Sequence, residues 1–424
     1  MSPMRPIADR SSRDWLIVIW IAACILLLPV GRSVELPMLL LAIAGLAMLL
    51  RQPAQTVRSP PARTLILLFA CIWLPMLVAQ LDAATLDTLR TNVVFPRFLL
   101  MGLFMILVLS QAPERIERLT LLLGVALAFW AVDGLIQGVW GRNLWGDPLI
   151  HGQVTGVFYP KQNIGQILAV LFPVFLYWVS VEADRRPWMW AFIPVYMAVI
   201  LLSGKRSAWI MLAVALAVLG AATLVRLPRQ RRWRVAAGVL ALVLAGGLAL
   251  GQHSGFKAKA EVTAGLFSGD MEKADLATSY RLGIWRVGQD IFRDHWINGI
   301  GPRGFRAVYP HYAPADDRFV LANPASGPTH PHLIVLEVAV EAGVLGLIGF
   351  AILWLWLLRA LWQARRDATA LAWLTALAVA ILPFNTGLAL YGSVWSGIVF
   401  WLMIMAVIVR WRASAAQRKP CEQE

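Results

Sequence analysis

Histidines are the first side chains of this sequence to consider for chemistry. The chain has six, and imidazole is the side chain best suited to general-base work near neutral pH. A single histidine on a wet loop is usually only solvated, which we expect for His253, His295 and His311. His332 differs, because it stands directly before a long apolar segment that contains acidic residues. Solvation alone therefore does not account for its position.

Charged residues inside apolar segments form a second group. Burying a charge in hydrocarbon is costly, so each such residue needs a partner or a function. The group consists of Arg97, Asp133, Glu337 and Glu341. A structural ion pair between Arg97 and Asp133 is one interpretation, and a place in a functional site is the other.

Three short patterns have attractive but weaker interpretations. Residues 299–304 fit the dinucleotide-binding pattern G-x-G-x-x-G, but no strand precedes them and no βαβ unit surrounds them. A glycine-shaped turn is the better interpretation. His330 and His332 form an H-x-H pair without a third ligand at a spacing diagnostic of zinc. Asp316 and Asp317 are an isolated acidic pair in a proline-rich loop, which is weak support for a cation site.

The elements that position these residues are predicted to be membrane helices. The chain has 424 residues, of which 59% are hydrophobic and only 15% charged. Its mean hydropathy is +0.66, and its apolar blocks are close to the roughly 20 residues that span a bilayer as a helix. We therefore expect an all-α integral membrane protein with about 12 transmembrane helices. The predicted spans are 15–30, 34–50, 63–80, 93–110, 118–140, 160–181, 187–203, 206–226, 234–251, 332–361, 368–390 and 392–410.

The distribution of positive charge predicts the orientation of these helices. A net charge of +14 would suit a nucleic-acid partner, but most of the 38 Lys and Arg residues fall in the segments on the amino-terminal side of the membrane. Positive residues favour the cytoplasm, so both termini are predicted to be cytoplasmic, with no nucleic-acid partner. The first span, which has basic residues ahead of it, is predicted to be a retained signal-anchor.

One connection is far longer than the others and is predicted to be an ordered outer domain. The chain divides into helices 1–9 (residues 1–251), a periplasmic loop between spans 9 and 10 (252–331), helices 10–12 (332–410) and a cytoplasmic tail (411–424). Structureless loops of this length are uncommon. Aromatic anchors in the loop and a helical pattern over 278–294, with Ser279 as its N-cap, predict a partly helical domain. No cysteine faces outward, so we expect no disulfide there.

Four motifs in the C-terminal half resemble those of the O-antigen ligase and polymerase superfamily. His332 is followed, after ten residues, by Gly343 and Gly346, as in the pattern of a histidine and a later Gly-x-x-Gly. Leu333 departs from the Asn that is common after that histidine. Residues 203–206 resemble the family's S-G-x-R, residues 281–285 its R-x-x-x-W, and residues 298–305 its glycine turn. Residues 156–165 are a weaker match to an upstream element.

The resemblance implies a GT-C-like glycosyltransferase in the bacterial inner membrane, with its site facing the periplasm. The donor would be a glycan on undecaprenyl diphosphate, the acceptor lipid A–core oligosaccharide, and no cofactor or metal would be used. Arg206 and Arg281 would bind the diphosphate through planar guanidinium groups. His332 would take the proton of the acceptor hydroxyl, which would attack the anomeric carbon with inversion. Secondary substrate-binding candidates are Lys161, Lys205, Arg286, Arg303 and His330.

Other functions remain open. Polymerases of the same superfamily extend a lipid-linked glycan, and relatives glycosylate pilin. A single dominant outer loop late in the chain favours a ligase. A secondary transporter would also have twelve spans, but such folds usually contain internal repeats and a midplane site, and we find neither pattern in the sequence.

Overall fold

The computed structural model describes residues 7–81, 85–226, 228 and 261–418, which form helices and no strand. The predicted ninth span, 234–251, lies outside these residues. The helices of the amino-terminal half are α1 (Ile7–Leu26), α2 (Glu35–Arg51), α3 (Pro53–Arg58), α4 (Pro60–Ala79), α5 (Leu86–Val94), α6 (Arg97–Ser110), α7 (Pro113–Trp140), α8 (Ile164–Ala183), α9 (Phe192–Leu202) and α10 (Arg206–Arg226).

The carboxyl-terminal half contains a group of short helices followed by three longer ones. The short helices are α11 (Met271–Ala277), α12 (Leu282–Asp294), α13 (Phe305–Tyr312) and α14 (Arg318–Ala322). The long ones are α15 (Ile334–Ala364), α16 (Ala368–Ala380) and α17 (Ser393–Arg418).

The apolar helices make the chain a multi-pass membrane protein. In the described part, 8 helical segments are long and apolar enough to cross a membrane, and three shorter apolar helices accompany them. The all-α membrane class predicted from the sequence is therefore confirmed, whereas the total of about 12 spans stays a prediction. α10 begins and ends at the residues predicted for the eighth span.

Small residues let the long helices pack closely. A Cβ on Gly45 of α2 would lie 1.9 Å from the carbonyl oxygen of Leu100 in α6, and one on Gly349 of α15 would lie 1.8 Å from that of Cys71 in α4. Backbones approach this closely only where a side chain is missing, as is usual between membrane helices. The buried α17 lies against several of these helices, and its Trp401 donates a hydrogen bond to the carbonyl of Ile21 at 3.1 Å.

The short helices of residues 261–331 have a small apolar core of their own. It consists of Ile284, Val287, Ile291, Ile300, Phe305 and Tyr309, together with Val340 of α15. Because Val340 belongs to a long helix, this core fixes the outer segment to the membrane bundle. Asp317 caps α14 and accepts a hydrogen bond from the Tyr309 hydroxyl at 2.9 Å, which gives this acidic residue a structural role.

One local prediction was wrong, and one of the two interpretations of Arg97 and Asp133 does not apply. The helix expected over 278–294 begins at Leu282, because Ser279 and Tyr280 lie in the left-handed region with φ of 62° and 59° and cannot cap it as proposed. No ion pair joins Arg97 and Asp133. Arg97 donates to the Val94 carbonyl at 3.1 Å, and Asp133 accepts from the Leu144 backbone N–H at 2.9 Å.

Candidate active site

A polar cavity of about 520 Å³ lies where the short outer helices meet the ends of the membrane helices. Three parts of the membrane bundle line it: the α7–α8 connection with the start of α8, the start of α10 and the α16–α17 connection. The outer segment closes it with Ser279 and Arg281. The basic residues on its wall are Lys205, Arg206 and Arg281, and none of its lining residues is acidic. The charge of the cavity wall is therefore entirely positive.

Arg206 joins α10 to the outer segment. The turn before α10 is possible because Gly204 has a φ of 64°, a conformation that favours glycine. The Arg206 guanidinium donates to the Ala277 carbonyl and to the Ser279 hydroxyl, the latter at 2.7 Å. Arg206 therefore also fixes the turn that precedes Arg281.

Arg281 directly follows that left-handed turn and caps α12. Burial, and then the charge of Arg206, lowers the pKa of Arg281 from its ordinary value. Burial and the charge of Arg281 lower the pKa of Lys205 in the same way, and the Lys205 ammonium donates to the Gln162 side chain. Binding of an anion between these cations would reduce the repulsion among them.

His332 interacts with Arg281 and Thr386 of the cavity wall without lining the cavity itself, and its backbone has a strained conformation. Its φ of 54° is unusual for a residue with a Cβ and costs about 1–3 kcal/mol. Its Nδ1 is buried and has no hydrogen-bond partner among the described residues. Burial, followed by the charge of Arg281, lowers the pKa of His332 to about 4, and a hydrogen bond to the Thr386 main chain acts in the opposite direction. The ring is therefore neutral at pH 7 and can accept a proton.

His330 supports the His332 ring. The two ring centroids are 3.9 Å apart, and the Thr329 hydroxyl lies 3.0 Å from the Nδ1 atom of His330. Burial and the neighbouring His332 and arginines lower the pKa of His330 to about 2. His330 is thus a neutral packing partner, and like His332 it is not among the residues that line the cavity.

The tryptophan of the R-x-x-x-W motif fixes the histidine segment to α12. The indole N–H of Trp285 donates to the carbonyl of Pro331 at 3.1 Å. Pro331 lies between the two histidines, so this bond links the helix that follows Arg281 to the residue before His332. The motif spacing of four residues places the arginine at the cavity and the tryptophan against the histidine segment.

The two glycine motifs are parts of one structural unit. α15 is interrupted at Gly343, which has φ 62° and ψ −161°. The turn at residues 299–304 docks at this break, where the Ile300 N–H donates to Val340 at 2.9 Å and the Gly301 N–H donates to Glu341 at 3.0 Å. A Cβ on Gly343 would lie 2.3 Å from the Ile297 carbonyl. The turn therefore has the structural role that was expected for it.

Glu337 and Glu341 bind main-chain groups rather than the cavity. Glu337 accepts from the backbone N–H groups of Leu390 and Tyr391 at 2.8 and 3.0 Å. Glu341 accepts from the backbone N–H of Arg303 at 2.7 Å. Both carboxylates are buried, and each fixes a segment next to the site. Arg303 itself is not among the residues that line the cavity.

Two of the secondary candidates lie away from the cavity. Lys161 is exposed, with its ammonium beside Gly31. Arg286 is on the exposed face of α12. Of the eight residues proposed from the sequence, the structure gathers Lys205, Arg206 and Arg281 on the cavity wall, with His332 adjoining Arg281.

Most of the uncharged part of the site was not predicted, although Gln162 and Asn163 lie within the weaker family match at residues 156–165. Amide, hydroxyl and glycine residues complete the wall: Gln153, Gln162, Asn163, Gln166, Ser207, Thr386 and Gly387. Their signal is a polar residue at the end of an apolar span, which is too common to identify a site. Within the described residues, no group of three or more His, Cys, Asp or Glu is placed to hold a metal ion.

Comparison with known proteins agrees with the motif resemblance. Residues 189–351 match a family model described as O-antigen ligase. The match spans α9, α10, the described part of the outer segment and the first half of α15. The resemblance predicted from the motifs is confirmed. A comparison with curated proteins gave no match.

Proposed function

We propose that this chain, which resembles the O-antigen ligase family over residues 189–351, is an O-antigen ligase. It transfers a glycan from undecaprenyl diphosphate to the lipid A–core oligosaccharide. The reaction takes place on the periplasmic side of the bacterial inner membrane, and both termini are cytoplasmic. The family supports a lipid-linked glycan substrate in a membrane, and the large outer segment late in the chain favours the ligase over a polymerase.

The observation that carries the proposal is a cavity with three basic residues, no acidic residue on its wall and a neutral histidine that interacts with Arg281 of that wall. A diphosphate is doubly anionic and sits at the membrane surface, where the cavity is. Arg206 and Arg281 hold its oxygens with planar forks, and Lys205 adds a point charge. The amide and hydroxyl groups on the wall are suited to the hydroxyl-rich sugars next to the diphosphate.

The reaction is a single displacement. The acceptor hydroxyl oxygen attacks the anomeric carbon of the first donor sugar and forms the new glycosidic bond. The bond from that carbon to the phosphate oxygen breaks, and undecaprenyl diphosphate leaves with the electron pair. His332 takes the hydroxyl proton, and the arginines stabilise the charge that develops on the leaving phosphate. Attack opposite the leaving group inverts the anomeric carbon.

The direct test is transfer in vitro. Purified protein is mixed with undecaprenyl-diphosphate glycan and lipid A–core, with and without chelator, and the lipopolysaccharide product is followed by gel shift. We expect a shift that persists in chelator. If chelator abolished the gel shift and magnesium restored it, the prediction that the reaction needs no metal would be contradicted. Glycan ladders on the donor lipid alone would identify a polymerase, and the absence of both products would favour the transporter class.

A further inference from the structure

A second basic cavity lies at the opposite end of the helix bundle from the outer segment. Its volume is about 310 Å³, at the low end of the range of about 300–1,000 Å³ typical of small-ligand pockets. It is formed by the first residues of α4 and the last turns of α15 and α17, so it faces the membrane surface away from the active site. The residues that give it its character are Thr64, Trp356, Arg359, Gln363, Arg410 and Trp411.

The chemistry of this cavity fits a phosphate ester. Arg359 and Arg410 are its charged residues, and none of its lining residues is acidic. Gln363 and Ser414 accept hydrogen bonds from Arg410, which orients the guanidinium and uses two of its five N–H donors. Arg359 is exposed, one turn of α15 before Gln363. Two guanidinium groups in one cavity can both donate hydrogen bonds to the oxygens of one phosphate.

The surroundings of the cavity fit the acyl chains of a lipid. α15 carries an exposed apolar stripe that includes Ile352, Leu355 and Leu358, and it ends beside Arg359. α4, which packs against α15, exposes Leu67 and Leu74. The acyl chains of a lipid whose headgroup occupies the cavity would therefore lie along these apolar faces. The two tryptophans have the amphipathic character of residues at the membrane–water boundary.

We propose that this cavity binds the phosphate headgroup of an anionic phospholipid in the leaflet opposite the outer segment. Basic pockets between membrane helices are suited to such headgroups. The site is separate from the active site, because its residues in α15 and α17 lie near the carboxyl ends of helices whose amino-terminal ends border the active site.

The test uses the purified full-length protein in detergent. Its thermal unfolding midpoint is measured while phosphatidylglycerol, phosphatidylcholine or inorganic phosphate is added. We expect phosphatidylglycerol to raise the midpoint at lower concentrations than the other two. Equal stabilisation by phosphatidylcholine would overturn the role of charge, and equal stabilisation by inorganic phosphate would show that the site takes a free anion rather than a lipid.

Variants locate the effect. The double variant Arg359→Gln/Arg410→Gln should weaken the apparent affinity for phosphatidylglycerol about tenfold or more. Arg366→Gln is the matched control, because Arg366 is an exposed arginine on the same membrane face outside the cavity. If the control loses as much affinity, general surface charge explains the binding and the proposal fails. Should the double variant not fold, Arg359→Gln alone serves, since Arg359 is exposed and its change leaves the bundle interior intact.

Discussion

The cavity wall and the first half of α15 both contain charged residues, but the charges are arranged in opposite ways. On the cavity wall, Lys205, Arg206 and Arg281 have the same sign, and none of the other lining residues is acidic. On α15, Glu337 and Glu341 are buried and accept hydrogen bonds from main-chain N–H groups. The cations on the cavity wall would be stabilised when a ligand of opposite charge binds. The carboxylates of α15 are stabilised mainly by hydrogen bonds that form when the protein folds.

This difference separates binding charges from structural ones within a single outer region. Each carboxylate fixes a segment that borders the site: Glu337 fixes the connection that supplies Thr386, and Glu341 fixes the turn that contains Arg303. A charged residue buried in a membrane protein is therefore not by itself a sign of catalysis. The two groups differ in that the three cations share one cavity whose wall has no acidic residue, whereas each carboxylate accepts a hydrogen bond from a main-chain N–H.

The largest expected effect comes from the residue at the boundary of the two regions. His332→Ala removes the proposed proton acceptor and should lower the transfer rate at least about 100-fold, with the amount of protein in the membrane unchanged. Gel-shift transfer assays measure the rate. His311→Ala, which removes an exposed histidine of α13, should leave it unaltered. A near-normal rate in His332→Ala would remove this residue from the mechanism.

Arg281→Lys tests whether the cavity cations act through shape as well as charge. A lysine keeps the charge but cannot form two parallel hydrogen bonds to a phosphate, so donor binding should weaken about tenfold or more. The measurement is KM for the lipid-linked donor. Arg286→Lys makes the same change five residues further along, on the exposed face of α12, and should be nearly silent. Equal effects in both variants would contradict the assignment of Arg281.

Removing a buried glutamate of α15 should lower the stability of the protein rather than its rate of transfer. Glu341→Leu leaves the Arg303 N–H buried without its acceptor, which should cost about 1–3 kcal/mol. The thermal unfolding midpoint in detergent should fall, while transfer per folded molecule changes only a few-fold. Glu272→Leu, at an exposed position of α11, is the control. Unchanged stability together with lost transfer would place Glu341 in the reaction instead.

The sequence predicted the class of the fold and the ends of several helices, because apolar length and charge placement are local properties. α10 matches its predicted span to the residue. The break of α15 at Gly343 was not predicted, since it depends on a turn more than 40 positions earlier in the chain. Thr386 and Gly387 were missed for the same reason: their place on the cavity wall is decided by packing, and their types carry no pattern.

The smallest effect is a shift in pH dependence. His332 accepts a proton only when neutral, so transfer should fall as pH drops through its pKa, which is about 4 in the free protein. Bound diphosphate adds negative charge beside the ring and stabilises the imidazolium, which raises this pKa. The acidic limb of kcat should therefore lie at higher pH than that of kcat/KM, because kcat reports the complex.

Arg281→Gln removes a repelling cation and should move the acidic limb of kcat/KM to higher pH. The limb should stay below the ordinary histidine pKa of 6.5, because burial is the larger cause of the lowered pKa of His332. Arg286→Gln should leave the limb in place. If the acidic limb of kcat/KM does not move in Arg281→Gln, the charge of Arg281 does not act on His332. The histidine would then not be coupled to the cations of the cavity wall.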